Sequence, residues 1–216
     1  CNNHLESKTE ILTPETTYHL YNRANGSEKL FRSEENYRYF LTRYQEYVLP
    51  IADTFCYCLM PNHFHFLLRV KPEAVLINYF RSRLERRPNP QGFKNLEGLR
   101  ADLPRLLTLQ FSNLQNSYAK AFNKMYKRKG SLFMHPYKRL EVNDTAYLRQ
   151  LVHYIHLNPV EAGLVSAAGA WKFSSWHGLV SGNHSFICRN EVIDWFNDME
   201  NFIQFHTQEP IHAVQS

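Results

Sequence analysis

The sequence predicts an α+β fold, a ferredoxin-like antiparallel sheet with helices packed on it. Residues 16–24 are rich in β-formers, 33–48 carry an apolar stripe at helical spacing, and 52–60 and 63–70 read as two strands. The order strand, helix, strand, strand begins a ferredoxin-like unit. With 216 residues, 44% of them apolar, the chain is long enough for one well-buried domain and short for two.

Turn and cap residues delimit the elements of the first third of the chain. The first strand ends at the turn pair Asn25-Gly26, and Ser33 can cap the helix that follows. Pro61-Asn62 is a second turn pair. We therefore expect the two strands around it to form a hairpin.

Prolines and apolar spacing define the central third. A helix begins at Pro72, and the mixed-charge stretch 91–104 is predicted to be an insertion loop because it has no periodicity. A helix is predicted over 106–126, followed by a strand over 131–142 that Pro136 interrupts and therefore places near a sheet edge. The core side of the 106–126 helix is expected to carry Leu109, Phe111, Leu114, Tyr118, Phe122 and Met125.

The final third is predicted to be mainly helical. The N-cap cluster Asn143-Asp144-Thr145 starts a helix that should end before Pro159. Residues 171–179 are expected to pack as an aromatic lid, and a further amphipathic helix is predicted within 186–205.

The chain is predicted to consist of a flexible N-terminal arm (1–15), one domain (16–180) and a C-terminal helical extension (181–216). It contains neither an apolar run long enough for a membrane span nor a secretory signal, so we expect no membrane partner. The four cysteines lack zinc-ligand spacing, which favours a reducing cytosol. The eight glycines form no phosphate-binding loop, which argues against a nucleotide cofactor.

Positive charge is concentrated in one stretch of the chain. Residues 103–140 carry eight Lys and Arg and no Asp or Glu, so the remainder of a chain with net charge +5 carries −3. A solvated helix end would explain residues 127–129 alone, but the whole stretch favours a nucleic-acid partner. The candidate DNA contacts are Arg23, Lys127, Arg128, Lys138 and Arg139.

Two histidines share one face of the strand predicted over 63–70. Side chains alternate along a strand, so His63 and His65 point to one face while Phe64 and Phe66 point to the other. Neutral imidazole binds first-row divalent metals, and two rings on a rigid strand are half of a metal site. Taken alone, the pair is a weak signal, because an isolated His-x-His is more often the polar face of an ordinary strand.

A second group of polar residues lies on the helix predicted after residue 144. Tyr154 and Asn158 are four residues apart and share a helix face, so a nucleophile and a metal ligand could lie together. Without the histidine pair, Tyr154 would be interpreted as a half-buried helix residue. His156 is expected to be structural or to face DNA. His135 is expected to be a strand-end residue rather than a fourth polar contributor to the site.

The segments PNHFHFLL and YIHLNPVEAGLV, about 90 residues apart and followed by WKFSS, resemble the REP-associated tyrosine transposases, the single-tyrosine branch of the HUH endonucleases. The resemblance covers about residues 16–180 and implies the HUH endonuclease fold. It implies that His63 and His65 bind the metal, that Tyr154 is the nucleophile and that Asn158 is the third ligand. Relatives in the wider group often carry Gln at that last position.

The resemblance also implies a reaction. A bound Mg²⁺ or Mn²⁺ would assist attack by Tyr154 on single-stranded, hairpin-bearing DNA from a repeated palindromic element, and the product would be a 5′-phosphotyrosine with a free 3′-hydroxyl. The imidazole pair alone would also accept zinc. Relatives near this branch imply a monomer, acting in the bacterial cytoplasm at the nucleoid.

Three other functions remain open from the sequence. The first is a domesticated DNA-binding regulator that keeps the fold and no longer cleaves. The second is an RNA-binding module, which would need aromatic residues on the exposed sheet face. The third is a metal-dependent hydrolase without a covalent step, for which Tyr154 would be dispensable.

Overall fold

A four-stranded antiparallel sheet organises the computed structural model, which describes residues 10–85, 96–183 and 186–208. The strands are β1 (Thr17–Arg23), β2 (Ala52–Leu59), β3 (His63–Val70) and β4 (Lys138–Glu141), in the order β2-β3-β1-β4. The helices are α1 (Glu34–Tyr47), α2 (Glu73–Glu85), α3 (Leu96–Ala101), α4 (Leu103–Met125), α5 (Thr145–Glu161), α6 (Trp176–Ser181), α7 (Arg189–Asp194) and α8 (Met199–Phe205). The predicted ferredoxin-like α+β fold is confirmed.

The sheet has a different core on each of its two faces. Phe64, Phe66 and Leu68 of β3 point to the face covered by α1 and α4, as the alternation predicted. Tyr44 of α1 stacks on Phe66 with ring centroids 4.1 Å apart. This face is mainly apolar and aromatic, with two buried side-chain hydrogen bonds, one from Asn22 to Gln115 at 2.7 Å and one between Tyr44 and Thr54 at 2.8 Å.

Helix α5 covers the opposite face, together with the short helices that follow it. Leu151, Val152 and Ile155 of α5 pack against Cys58 of β2 and Leu67 of β3. The side chains of β3 that share this face nearer its N-terminus are the two histidines, so the polar groups lie beside α5.

The outer edge of β2 is covered by the C-terminal part of the chain. Leu59 donates its backbone N–H to the carbonyl of Phe173, and Cys188 donates its own to Thr54. The predicted aromatic lid therefore lies along this edge, where Phe173 stacks on Tyr37 at 3.7 Å. Residues 186–208 pack into the same core as α5, and the boundary at residue 180 stays a prediction.

Helix boundaries differ from the prediction in three places. Residues 96–104 belong to α3 and α4 rather than to a loop, because Leu99 and Leu103 bury apolar side chains at helical spacing, while 91–95 lie outside the described residues. Helix α5 continues through Pro159 to Glu161. The single helix predicted within 186–205 is two helices, since Asn197 adopts φ +72° between them.

Three further expectations are corrected. The strand predicted over 131–142 is only four residues long, although it does lie at a sheet edge. Leu109 and Met125 of α4 are exposed rather than in the core. Residues 10–15 of the predicted flexible arm are packed, because Leu12 is fully buried and Ile11 accepts a hydrogen bond from Tyr18 at 2.8 Å.

No helix among the described residues is both long and apolar enough to cross a bilayer.

Candidate active site

The two predicted metal-binding histidines lie at the start of β3, directly after the Pro61-Asn62 turn. The turn closes through a hydrogen bond from the Met60 N–H to the His63 carbonyl, at 2.8 Å. His63 is half-buried and His65 is 6% exposed. Their ring centroids are 5.1 Å apart at a steep angle, so both rings project from the same face of the strand.

Strand β1 adds two aromatic rings beside this pair. The register places Tyr21 opposite His65 and Arg23 opposite His63. His19 contacts His65 through ring nitrogens, with 2.9 Å between His19 Nε2 and His65 Nδ1. Alternation along a strand puts His19 and Tyr21 on one face, but only the strand pairing shows that they adjoin the histidine pair.

Helix α5 brings the predicted nucleophile and third ligand to the same place. Asp144 caps the helix by accepting the Ala146 N–H. The ring of Tyr154 lies edge-on to His65, with centroids 5.5 Å apart. Asn158 Oδ1 is 3.1 Å from His63 Nε2, and Asn158 Nδ2 donates to the Tyr154 carbonyl at 3.2 Å. The structure thus brings together all four residues that the sequence proposed for catalysis and metal binding.

A cavity of about 490 Å³ adjoins His63, His65 and Tyr154. His63, His65 and Tyr154 form its floor, while Arg23 and Lys138 contribute positive charge to its walls. A cavity of this size accepts a drug-sized ligand or a nucleotide.

Burial keeps the imidazoles neutral. It lowers the pKa of His63 and lowers that of His65 well below its ordinary value, with the neighbouring His19 adding to the effect on His65. Burial lowers the pKa of His19 to about 3. Neutral rings keep a nitrogen lone pair, which is the form that binds a metal.

The donor set fits a divalent metal ion. Asn62 Oδ1 is 2.8 Å from His63 Nδ1 and can accept its N–H, which leaves the lone pair of Nε2 facing Asn158 Oδ1. Two acceptors 3.1 Å apart have the separation of neighbouring ligands around an octahedral ion with bonds of about 2.1 Å. Within the described residues, no group of three or more His, Cys, Asp or Glu side chains could hold a metal, and the candidate donor set consists of two imidazoles and the Asn158 amide.

Three of the predicted DNA contacts lie in the cavity lining or at the exposed surface. Arg23 is exposed at the rim of the cavity, and Lys138 lines it. Lys127 is exposed in the turn after α4 with φ +51°. Their contact with DNA stays a prediction.

The other two predicted DNA contacts have partners within the protein, and their contact with DNA also stays a prediction. Arg128 bonds to Glu28 at 2.8 Å and to the carbonyl of Ser131 at 2.9 Å. Arg139 is 9% exposed, donates to the Glu10 carbonyl and lies over the Tyr137 ring. Charge alone could not predict the contacts with Glu28 and Glu10, which lie 100 and 129 residues away from their arginines in sequence.

The remaining histidines divide between the cavity and the core. His135 lines the cavity. His156 is fully buried and bonds to His206 and to Ser175, so its structural role is confirmed. Asn62 is a site residue that was predicted only to form a turn. Its position directly before His63 in the sequence could have indicated that it contacts the site.

A comparison with solved structures identifies one fold likeness. A REP-associated tyrosine transposase bound to a REP hairpin matches with a TM-score of 0.55 and 13% identity, over 82% of this chain and 87% of that one. The chain has the fold of this transposase. No family model and no curated protein matches the sequence.

Proposed function

We propose that this protein is a metal-dependent single-strand DNA endonuclease and strand transferase that forms a 5′-phosphotyrosine at Tyr154. The observation that supports it most directly is that two separate elements bring Tyr154, His63, His65 and Asn158 together, with His63, His65 and Tyr154 lining one cavity. The likeness to a transposase that binds a REP hairpin supports the same class of activity.

His63, His65 and Asn158 would hold Mg²⁺ or Mn²⁺, which supplies Lewis-acid polarisation of the scissile phosphate when bound. The Tyr154 hydroxyl oxygen attacks phosphorus, forming a Tyr154–phosphorus bond while the bond from phosphorus to the 3′ oxygen breaks. The phenol proton goes to solvent and the leaving 3′ oxygen takes up a proton. The phosphoester energy stays in the covalent link, so transfer to another 3′-hydroxyl needs no nucleotide cofactor.

Other residues of the chain would position the reacting groups. Asn158 couples the two halves of the site, because its amide touches both His63 and the backbone of Tyr154. Arg23 and Lys138, on the cavity walls, would bind phosphates that flank the scissile one. These charges would orient the DNA backbone without recognising the DNA sequence.

Single-stranded DNA beside a hairpin is the proposed substrate. The Tyr21 ring, stacked against His65 with centroids 5.6 Å apart, lines the cavity beside the cationic groups. Aromatic rings beside positive charge suit unpaired bases and their phosphates. The proposed active unit is a monomer, because Tyr154 and the histidines come from the same chain.

The test is an adduct assay with a labelled hairpin oligonucleotide that has single-stranded flanks, with Mg²⁺ or Mn²⁺ present. The unmodified protein should form an adduct that resists denaturant, Tyr154→Phe should form none, and His63→Ala should form far less. Tyr147→Phe is the matched control, because Tyr147 is an exposed tyrosine on the same helix.

Each other outcome points to a different function. Cleavage that persists in Tyr154→Phe would indicate a hydrolase without a covalent step. Hairpin binding without cleavage under any metal would favour the DNA-binding regulator.

A further inference from the structure

His19 of β1 contacts His65 through one atom of each ring. His19 Nε2 and His65 Nδ1 are 2.9 Å apart, and the rings are inclined by 20°. His19 is 6% exposed, as is His65, so water cannot readily replace either partner. The strand register fixes the contact, since Tyr21 is opposite His65 and His19 is the diagonal neighbour on the same face.

This contact decides which nitrogen of His65 can bind a metal. A neutral imidazole carries one N–H, so one of the two rings must donate and the other must accept. If His19 donates, neutral His65 carries its proton on Nε2 and has no lone pair there. If His65 donates from Nδ1, its Nε2 keeps the lone pair.

We propose that His19 is a positioning residue that accepts the Nδ1–H of His65 and thereby keeps His65 Nε2 free to bind the metal. The inference rests on the proposed function, in which His65 is a ligand. The other ligand has an equivalent arrangement, because Asn62 Oδ1 can accept the Nδ1–H of His63 at 2.8 Å. Partners of this kind fix the tautomer and the orientation of metal-binding histidines.

The position of His19 adds a steric element to this role. Its ring lies edge-on to Tyr154, with centroids 6.4 Å apart, while the His65 ring is 5.5 Å from Tyr154. The three rings contact one another, and those of His65 and Tyr154 also line the cavity. Removing the acceptor at residue 19 therefore frees His65 to rotate beside the nucleophile.

The first experiment observes the tautomer directly in the metal-free protein. Nitrogen-15 NMR at neutral pH should show His65 protonated at Nδ1 and unprotonated at Nε2. His19→Gln, whose side-chain oxygen can still accept, should retain this state, and His19→Phe should lose it. A wild-type spectrum with the proton of His65 on Nε2 would overturn the inference.

The second experiment measures Mn²⁺ affinity without DNA, by the electron paramagnetic resonance signal of free Mn²⁺. His19→Phe should weaken binding by roughly 10- to 100-fold, the usual effect of losing such a partner, and His19→Gln should recover most of the affinity. Unchanged affinity in His19→Phe, with a wild-type thermal unfolding temperature, would contradict the positioning role.

These measurements are independent of cleavage. If the Phe variant does not fold, the wild-type tautomer and the Gln variant still decide the matter. A normal His65 tautomer and normal Mn²⁺ binding together with no Tyr154 adduct would contradict the proposed function and leave the role of His19 in place.

Discussion

Asn158 is the residue on which the two halves of the candidate site meet. Its Oδ1 lies 3.1 Å from His63 Nε2, and its Nδ2 donates to the Tyr154 carbonyl. That second bond fixes which end of the amide faces the histidine, so the oxygen points toward His63 Nε2. A side chain with this orientation can serve as a metal ligand at little ordering cost, because it is already 93% buried by its neighbours (7% exposed).

We predict that Asn158→Leu lowers Mn²⁺ affinity by at least roughly tenfold, the lower end of what even outer partners of a ligand contribute. Asn158→Asp keeps an oxygen and adds negative charge, so it should bind Mn²⁺ at least as tightly as the wild type. Isothermal titration of the DNA-free protein measures both.

Gln150→Ala, an exposed change on the same helix, is the control and should leave Mn²⁺ affinity unaltered. Equal affinity for Asn158→Leu and the wild type would rule out the third-ligand assignment.

The sequence could predict part of this site because the relevant geometry is local. Alternation along a strand places His63 and His65 together, and one helical turn places Tyr154 near Asn158. The contact from His19 to His65 depends on how β1 pairs with β3, which no local pattern encodes. The buried state of Arg139 likewise depends on a distant backbone carbonyl.

At the scale of elements, a buried chain of hydrogen bonds connects α5 to the C-terminal segment and to the sheet. His206 of the segment after α8 contacts His156 Nδ1 at 3.1 Å, and His156 Nε2 contacts the Ser175 hydroxyl at 2.8 Å. Ser175 in turn accepts the Tyr57 N–H of β2 at 2.9 Å. The helix that carries Tyr154 is thus fixed to both the sheet edge and the C-terminal helix.

The buried histidines of this hydrogen-bonded chain predict that the folded protein loses stability in acid. Burial lowers the pKa of His206 to about 4 and that of His156 well below its ordinary value. The unfolded chain, with a histidine pKa near 6.5, takes up protons that the folded protein cannot accept as the pH falls from about 6.5 to 4. The stability that depends on these histidines staying neutral is therefore fully present above pH 6.5. It is lost as the pH falls from about 6.5 to 4, by up to roughly 3 kcal/mol for His206.

His206→Gln should flatten this dependence, as measured by urea unfolding at pH 7.5, 6 and 5. The dependence should not vanish, because other histidines are buried. His177→Gln, at an exposed position, should keep the wild-type slope. A His206→Gln curve parallel to that of the wild type would refute the assignment.

Element boundaries show where sequence patterns fail. Pro159 lies within α5, two residues before its last residue. The helix closes beyond the proline through the bond from the Ala162 N–H to the Asn158 carbonyl. Residues 96–101 lack a long apolar stripe and fold as α3 because Leu99 finds a core position. Tertiary burial overrides local propensity in both cases.

At the scale of the whole molecule, the main hydrophobic core and the candidate site lie on opposite faces of the sheet. One face of the sheet is closed by the aromatic core around α1 and α4, and the other carries the site under α5. The basic stretch 103–140 passes from the first face to the cavity, since α4 belongs to the former and Lys138 lines the latter. DNA that enters the cavity would therefore have positive potential along one side.

The salt dependence of hairpin binding should distinguish exposed basic residues from structural ones. Each phosphate contact contributes about 0.7 (single strand) to 0.9 (duplex) to the slope of log K against log salt concentration. Lys127 is exposed, so Lys127→Gln should reduce the slope by about that amount. Arg128 is bonded to Glu28 and Ser131, so Arg128→Gln should instead lower the unfolding temperature and leave the slope unaltered.

Fluorescence anisotropy measures both slopes from 50 to 300 mM salt, roughly the range over which such contacts weaken. A larger slope change for Arg128→Gln than for Lys127→Gln would show that DNA binding displaces the internal partners of Arg128.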